Sequence, residues 1–158
     1  FLQQASASVG LVPRLKLRHA LSVGSALAYW TVDNNNSFAQ PMLEALLPGN
    51  PDTSIRNRFG GVAVIPASER GHVDYVRAVL ESTDIDVNHV NDLGWTALLE
   101  AVILSDGGPA QQEIVRILLD HGADPSIADN DGVTALRHAE RRGYTEIAEL
   151  LRSHSRGR

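Results

Sequence analysis

Residues 94–119 read GWTALLEAVILSDGGPAQQEIVRILL, and residues 132–151 read GVTALRHAERRGYTEIAELL. Aligned on Gly94 and Gly132, both stretches carry a Thr-Ala-Leu step, an alanine at the eighth place, a turn and then an apolar stripe. A third copy, GGVAVIPASERGHVDYVRAVL, runs from Gly60 to Leu80. The opening glycines Gly60, Gly94 and Gly132 are 34 and then 38 residues apart. Self-similarity at such a period marks a repeat array, in which no unit can bury its apolar face alone and stacked neighbours bury it jointly.

Each unit reads as a pair of helices. Thr96 and Thr134 stand where a hydroxyl caps a helix start, and Val62 holds that place without one. Ala67, Ala101 and Ala139 recur at one position, where a small side chain lets the neighbouring helix approach closely. Gly71 and Gly143 punctuate the turn into a second helix. Ile114, Val115, Leu118 and Leu119 give that helix a one-sided apolar stripe, and Gly122 stops it. The links DTSIRNRFGG, DVNHVNDLGW and DPSIADNDGV have turn chemistry, clearest at Asp131-Gly132. The second unit carries an insertion around Ser105–Gln111, and Asp33–Ser37 has the look of another.

A fainter copy lies upstream. Met42, Leu43, Leu46 and Leu47 match the stripe of the second unit, and PGNPDTSIRNR aligns with DHGADPSIADN. Ser25-Ala26-Leu27 stands for Thr134-Ala135-Leu136, and residues 1–20 resemble half a unit. The expected organisation is a degenerate half-repeat or cap over residues 1–23, repeats over 24–151, and a basic frayed tail over 152–158. The expected fold is all-α, a solenoid of about four helix-turn-helix units with β-turn fingers and an irregular N-terminal cap.

These motifs resemble the ankyrin repeat, a unit of about 33 residues opening Gly-x-Thr-Pro-Leu-His-x-Ala. Residues 94–101 and 132–139 carry that opening, Gly71-His72 matches the mid-repeat Gly-His, and Gly122-Ala123-Asp124-Pro125 matches the Gly-Ala-Asp link. The resemblance covers residues 60–151 closely and 24–59 loosely, and GHVDYV, DVNHVN and GWTALLEAV have the style of bacterial members. The pattern's histidine is replaced by Ile65, Leu99 and Arg137, which implies looser coupling between units. The resemblance also implies a protein partner held on a concave face. The fingers would offer Arg56, Asn57, Arg58 and Phe59, then His89, Val90, Asn91, Asp92, Leu93 and Trp95, then Asp129, Asn130 and Asp131. The exposed side of the first helices would add Glu69, Glu100, Val102, Arg137 and Arg141.

Among these residues Phe59 and Trp95 are the sharpest, because aromatic side chains and Arg dominate binding hot spots; the alternative is that each ring covers a neighbouring unit. Arg56 and Arg58 are either partners for carboxylates or solvated surface charges. Finger charge changes sign from Arg56 and Arg58 to Asp129 and Asp131, a gradient that would orient a complementary partner.

Composition narrows the function further. The chain is 43% hydrophobic, 21% charged and 5% aromatic over 158 residues, as suits helix-on-helix packing by aliphatic side chains. A net charge of −5 speaks against general nucleic-acid binding. Without cysteine there are no disulfides, thiol nucleophiles or Cys-zinc sites. The six histidines show no His-Glu-x-x-His spacing, and His72 sits where the resembling repeats keep a structural histidine. There is no P-loop and no Gly-x-Ser-x-Gly elbow, and Asp106-Gly107-Gly108 lacks the following Lys. Glu100, Asp106, Glu113 and Asp120 read as solvated carboxylates rather than an acid–base pair. Asn35-Asn36-Ser37 is a glycosylation acceptor only on a secretory route. The basic tail is a frayed end or a contact for acidic partners.

The expectation is a non-catalytic interaction module (scaffold, adaptor or inhibitor) with no cofactor and no metal, bound to another protein, touching neither nucleic acid nor membrane, and monomeric or weakly dimeric. Two alternatives stand beside it. One is self-association through Leu15, Leu17, Leu21, Leu27 and Trp30; the other is an accessory domain of an enzyme, with His19, Tyr29 and Asp33 as the candidate groups in this chain. A cytoplasmic home is the default; a leader removed ahead of Phe1 would mean the periplasm or secretion.

Overall fold

The computed structural model describes residues 47–49 and 52–156. After a 3-10 turn at Leu47–Gly49, the helices are α1 (Val64–Glu69), α2 (Val73–Ser82), α3 (Ala97–Ile103), α4 (Pro109–Asp120), α5 (Ala135–Arg142) and α6 (Thr145–Arg156). They form two layers. In one, α1 packs on α3 and α3 on α5; in the other, α2 packs on α4 and α4 on α6; each first helix also packs on the second helix of its own unit. Among the described residues there is no strand, only a bridge between Ala128 and Thr134. The all-α repeat solenoid expected from the sequence is the fold found. The 1–23 cap and most of the upstream copy lie outside the described residues.

The local signals act as the sequence predicts. Thr96 Oγ1 accepts from the Leu99 amide at 3.2 Å, and Thr134 Oγ1 from the Arg137 amide at 3.5 Å, each satisfying an orphan donor of a first helix. Helix α1, preceded by Val62 and Ala63, has no side-chain cap. Gly122 closes α4 at φ 89°, and the Ala123 amide returns to the Leu118 carbonyl at 2.9 Å.

Between the layers Ile65, Leu98, Leu99, Ile114, Leu118, Ile147 and Leu151 are fully buried. Ile65 and Leu99, two of the three replacements for the pattern's histidine, therefore belong to the core, whereas Arg137 is exposed. Ala67, Ala101 and Ala139 are buried where neighbouring first helices meet. A larger side chain there would overpack the contact at about 1–3 kcal/mol.

Two details differ from the expectation. The insertion in the second unit divides between a longer turn and an extra turn of helix, because α4 already begins at Pro109. Tyr144 of the next unit clamps that turn, its hydroxyl donating to the Ser105 carbonyl at 2.7 Å and its ring lying against Gly107. The basic segment after Leu151 is helical as far as Arg156, with Arg152 reaching Glu140 of α5 at 2.8 Å. Ser153 and Ser155 donate to carbonyls within the same helix. Among the described residues no helix is long and apolar enough to cross a membrane.

Candidate partner-binding face

The fingers are hairpins built on one repeated position. Asn57 Oδ1 accepts from the amides of Phe59 and Gly61 at 2.9 and 3.0 Å. Asn91 Oδ1 accepts from Leu93 and Trp95, both at 3.0 Å. Asp129 Oδ1 accepts from Asp131 and Val133 at 3.0 and 2.8 Å. In each hairpin the backbone amide of that residue bonds to the carbonyl four residues on, and the glycine three residues on returns an amide to its carbonyl. Asn and Asp suit this place because a short polar side chain can mimic a backbone acceptor. The returning glycines Gly60, Gly94 and Gly132 have φ of 73°, 81° and 73°, a conformation other residues adopt at a cost.

The same residues tie the fingers to the helices. Asn91 Nδ2 donates to Glu100 Oε1 at 2.8 Å, and Asp129 Oδ2 is 2.7 Å from His138 Nε2. Both partners lie nine residues further along the chain; in the first unit that place holds Pro66, which has no polar side-chain atom.

Fingers also bond to one another. The Asp92 amide donates to the Phe59 carbonyl at 2.9 Å, and Asn130 Nδ2 donates to the Leu93 carbonyl at 3.1 Å. Protonated at Nε2, His89 donates to the Gly60 carbonyl at 2.7 Å. The side chains of Asp92 and Asn130 fill the space a Cβ would take on Gly60 and Gly94. Further back, Asn88 Nδ2 donates to the Gly122 carbonyl, while Asn88 Oδ1 accepts from the Asp124 amide at 2.7 Å. A surface held this way needs little ordering to bind.

The residues expected to meet a partner divide into three groups. Arg56, Arg58, Phe59, Val90, Asp92, Leu93, Asn130, Asp131, Arg137 and Arg141 are exposed, and Asn57 is half-buried. The Arg58 guanidinium lies 4.6 Å from the centre of the Phe59 ring. Glu69, His89, Trp95 and Asp129 are half-buried; Glu69 is 3.2 Å from Arg70, and Trp95 packs against the core.

Asn91, Glu100 and Val102 are buried, which corrects their expected place on the exposed side. For Glu100 the reason is the finger folding back so that Asn91 reaches it. For Val102 it is the packing of the first helices. What the sequence reading missed is the Asn/Asp position as an internal staple. Its signal was present, since Asn57, Asn91 and Asp129 fall at one place in each link.

Electrostatics follow from these contacts. Burial, with the charge of Glu69 adding to it, pushes the Glu100 carboxyl up to about 7 against the opposing bond from Asn91. The Val133 amide and His138 hold Asp129 below its usual range. The hydrogen bond from Arg77, at 2.6 Å, and the contact with Arg116 lower Glu113 on the outer layer. Burial and the charge of Arg70 lower His72, whose Nε2 is buried with no hydrogen-bond partner among the described residues. Three of the four carboxylates considered for acid–base work are engaged separately, Glu100 with Asn91, Glu113 with arginines and Asp106 with the Gly108 amide at 2.8 Å, and the fourth, Asp120, is exposed at the end of α4. Among the described residues no three His, Asp or Glu side chains converge as a metal site.

Comparison with known proteins agrees with this geometry. A family model described as ankyrin repeats (3 copies) matches residues 29–129, and one described as ankyrin repeats (many copies) matches residues 109–152. The ankyrin repeat protein YahD of Escherichia coli is 50% identical over 110 residues, 70% of this chain and 55% of YahD. An ankyrin repeat domain of known structure from Acinetobacter baumannii superposes with a TM-score of 0.74 at 44% identity, over 86% of this chain and 63% of that one. The ankyrin repeat protein EF0377 gives a TM-score of 0.69 at 45% identity, over 72% of this chain and 58% of its own. The chain thus spans between half and two thirds of the length of these three relatives. Its repeat register, its two helical layers and these matches together place the chain in the ankyrin-repeat family.

Proposed function

We propose that this chain is a non-catalytic protein-binding module whose partner lies along the finger tips and the adjoining exposed surface of the first helices. Ankyrin repeats in general mediate protein–protein interaction; the face and the absence of catalysis are the specific parts of this reading. The observation that carries it is the contrast within each finger. The polar residue at the base is spent on internal bonds, whereas Phe59 and Leu93, at matching places on adjacent fingers, remain 37% and 46% exposed. Val90 on the second finger is 45% exposed. Where such side chains form one patch on a rigid support, they mark an interaction site.

Affinity capture from a lysate of the source organism tests the reading, with the Arg58→Ala, Phe59→Ser, Leu93→Ser triple variant as the control bait. These three side chains are exposed, so the variant should fold. A protein enriched on the wild type and absent from the variant supports the proposed face, and equal enrichment on both contradicts it. Trp95 is left intact because it packs against the core.

A further inference from the structure

We infer that the partner's contact is an extended polypeptide segment with a fixed polarity: carboxylate side chains at one end, apolar side chains in the middle and a Lys or Arg at the other end. This inference rests on the binding-face reading above and makes it specific.

Inter-finger bonds from Asp92 to Phe59 and from Asn130 to Leu93 keep the three fingers in register. The residue two places beyond each base Asn or Asp therefore forms a row along the tips: Phe59, Leu93, Asp131. All three are exposed, and the row runs apolar, apolar, acidic. Arg56 and Arg58 stand exposed at its first end, and among the described residues neither is in an ion pair. At the far end the hydrogen bond that Asp131 makes to the base Asp129 uses its backbone amide, leaving its carboxylate toward solvent. Asp129 itself faces inward to His138 and two amides, so Asp131 supplies the outward charge of that finger.

A row of single side chains on separate tips fits an extended chain, which at about 3.3 Å per residue presents roughly every third residue to fingers set about 8–10 Å apart, better than it fits a broad apolar surface. The order of charges on the fingers, Arg56 and Arg58, then Asp92, then Asp131, sets which way that chain lies, since a like-charge placement is penalised.

The test is selection of linear peptides from a random displayed library on the full chain, repeated on a charge-swapped variant, Arg56→Glu, Arg58→Glu, Asp131→Arg. Wild-type winners should place an acidic residue and a basic residue on opposite sides of an apolar pair. Winners on the swapped variant should show the opposite order. A synthetic wild-type winner should bind the swapped variant about tenfold more weakly, the combined effect expected of a few exposed ion pairs.

Winners without charge polarity, the same order on both proteins, or no enrichment at all would overturn the inference. The Phe59→Ser, Leu93→Ser variant separates the two levels. If it loses the winning peptides while the swap changes nothing, the face stands and the polarity falls. If it retains them, the face falls as well.

Discussion

Asn91 and Glu100 are joined side chain to side chain at 2.8 Å, so the base of the second finger is fastened to the first helix of its own unit through a buried carboxyl. That arrangement gives Glu100 a stability cost that depends on pH. Its folded value of about 7 lies above the ordinary 4.5, so between those values the native state binds more protons than the unfolded chain. Its contribution is fully present below about pH 4.5 and is lost as pH rises through 7. Glu100→Gln keeps an acceptor for Asn91 and removes the charge. It should be neutral near pH 4.5 and stabilising by up to about 3 kcal/mol above pH 8. Urea denaturation of both proteins across this range measures the difference, and parallel pH profiles would contradict the burial of the carboxyl.

Asp129 has the opposite sign. Its folded value is lowered, so the stability it confers is present at neutral pH and is lost as pH falls into the carboxylate range. Asp129→Asn retains the acceptor used at Asn57 and Asn91 and should flatten the acid limb of the stability profile. Asp129→Ala removes the acceptor for two amides and His138 and should lower stability at pH 7 while flattening the acid limb as well. Thermal melts at pH 4 and pH 7 distinguish the two.

The glycines of the fingers should differ in tolerance. At Gly94 a Cβ would come within 2.5 Å of Asn130, whose amide holds the Leu93 carbonyl, whereas at Gly132 a Cβ meets nothing within 4 Å. Both positions carry the left-handed backbone cost of about 1–2 kcal/mol for a residue with a Cβ. Gly94→Ala should add roughly another 1 kcal/mol for the displaced hydrogen bond, measured as the difference between the two variants in chemical denaturation.

Tyr144→Phe removes only the hydroxyl that donates to Ser105. We expect a loss of about 1 kcal/mol and faster amide exchange at Gly107 and Gly108, with α6 unaffected. Uniformly faster exchange throughout the chain would show that Tyr144 supports the whole array and not this turn.

Much of this architecture was legible in the sequence because it rests on local, repeated signals. Thr96 and Thr134 cap helices, Gly122 ends one, and the stripe at Ile114, Val115, Leu118 and Leu119 is buried as its spacing implies. What escaped depends on contacts between segments. The expected exposure of Glu100 came from its place on a first helix, and only the folded finger brings Asn91 over it. The helix beyond Leu151 is held in part by Arg152 reaching back to Glu140, a contact no local pattern of Ser and Arg announces. At the site, Phe59 and Leu93 are exposed, whereas Asn91, read beside them as part of the outward finger, is buried. Its two side-chain ends are both used inside the hairpin and the helix below.

The most direct measurement is site-specific photo-crosslinking in the source cells, with a photoreactive phenylalanine analogue placed at Leu93 on the finger tips or at Arg116 on the outer helix α4. Binding along the finger tips gives a discrete protein adduct from position 93 and none from position 116. An adduct from position 116 alone, or the same adduct from both positions, would contradict the finger-tip face.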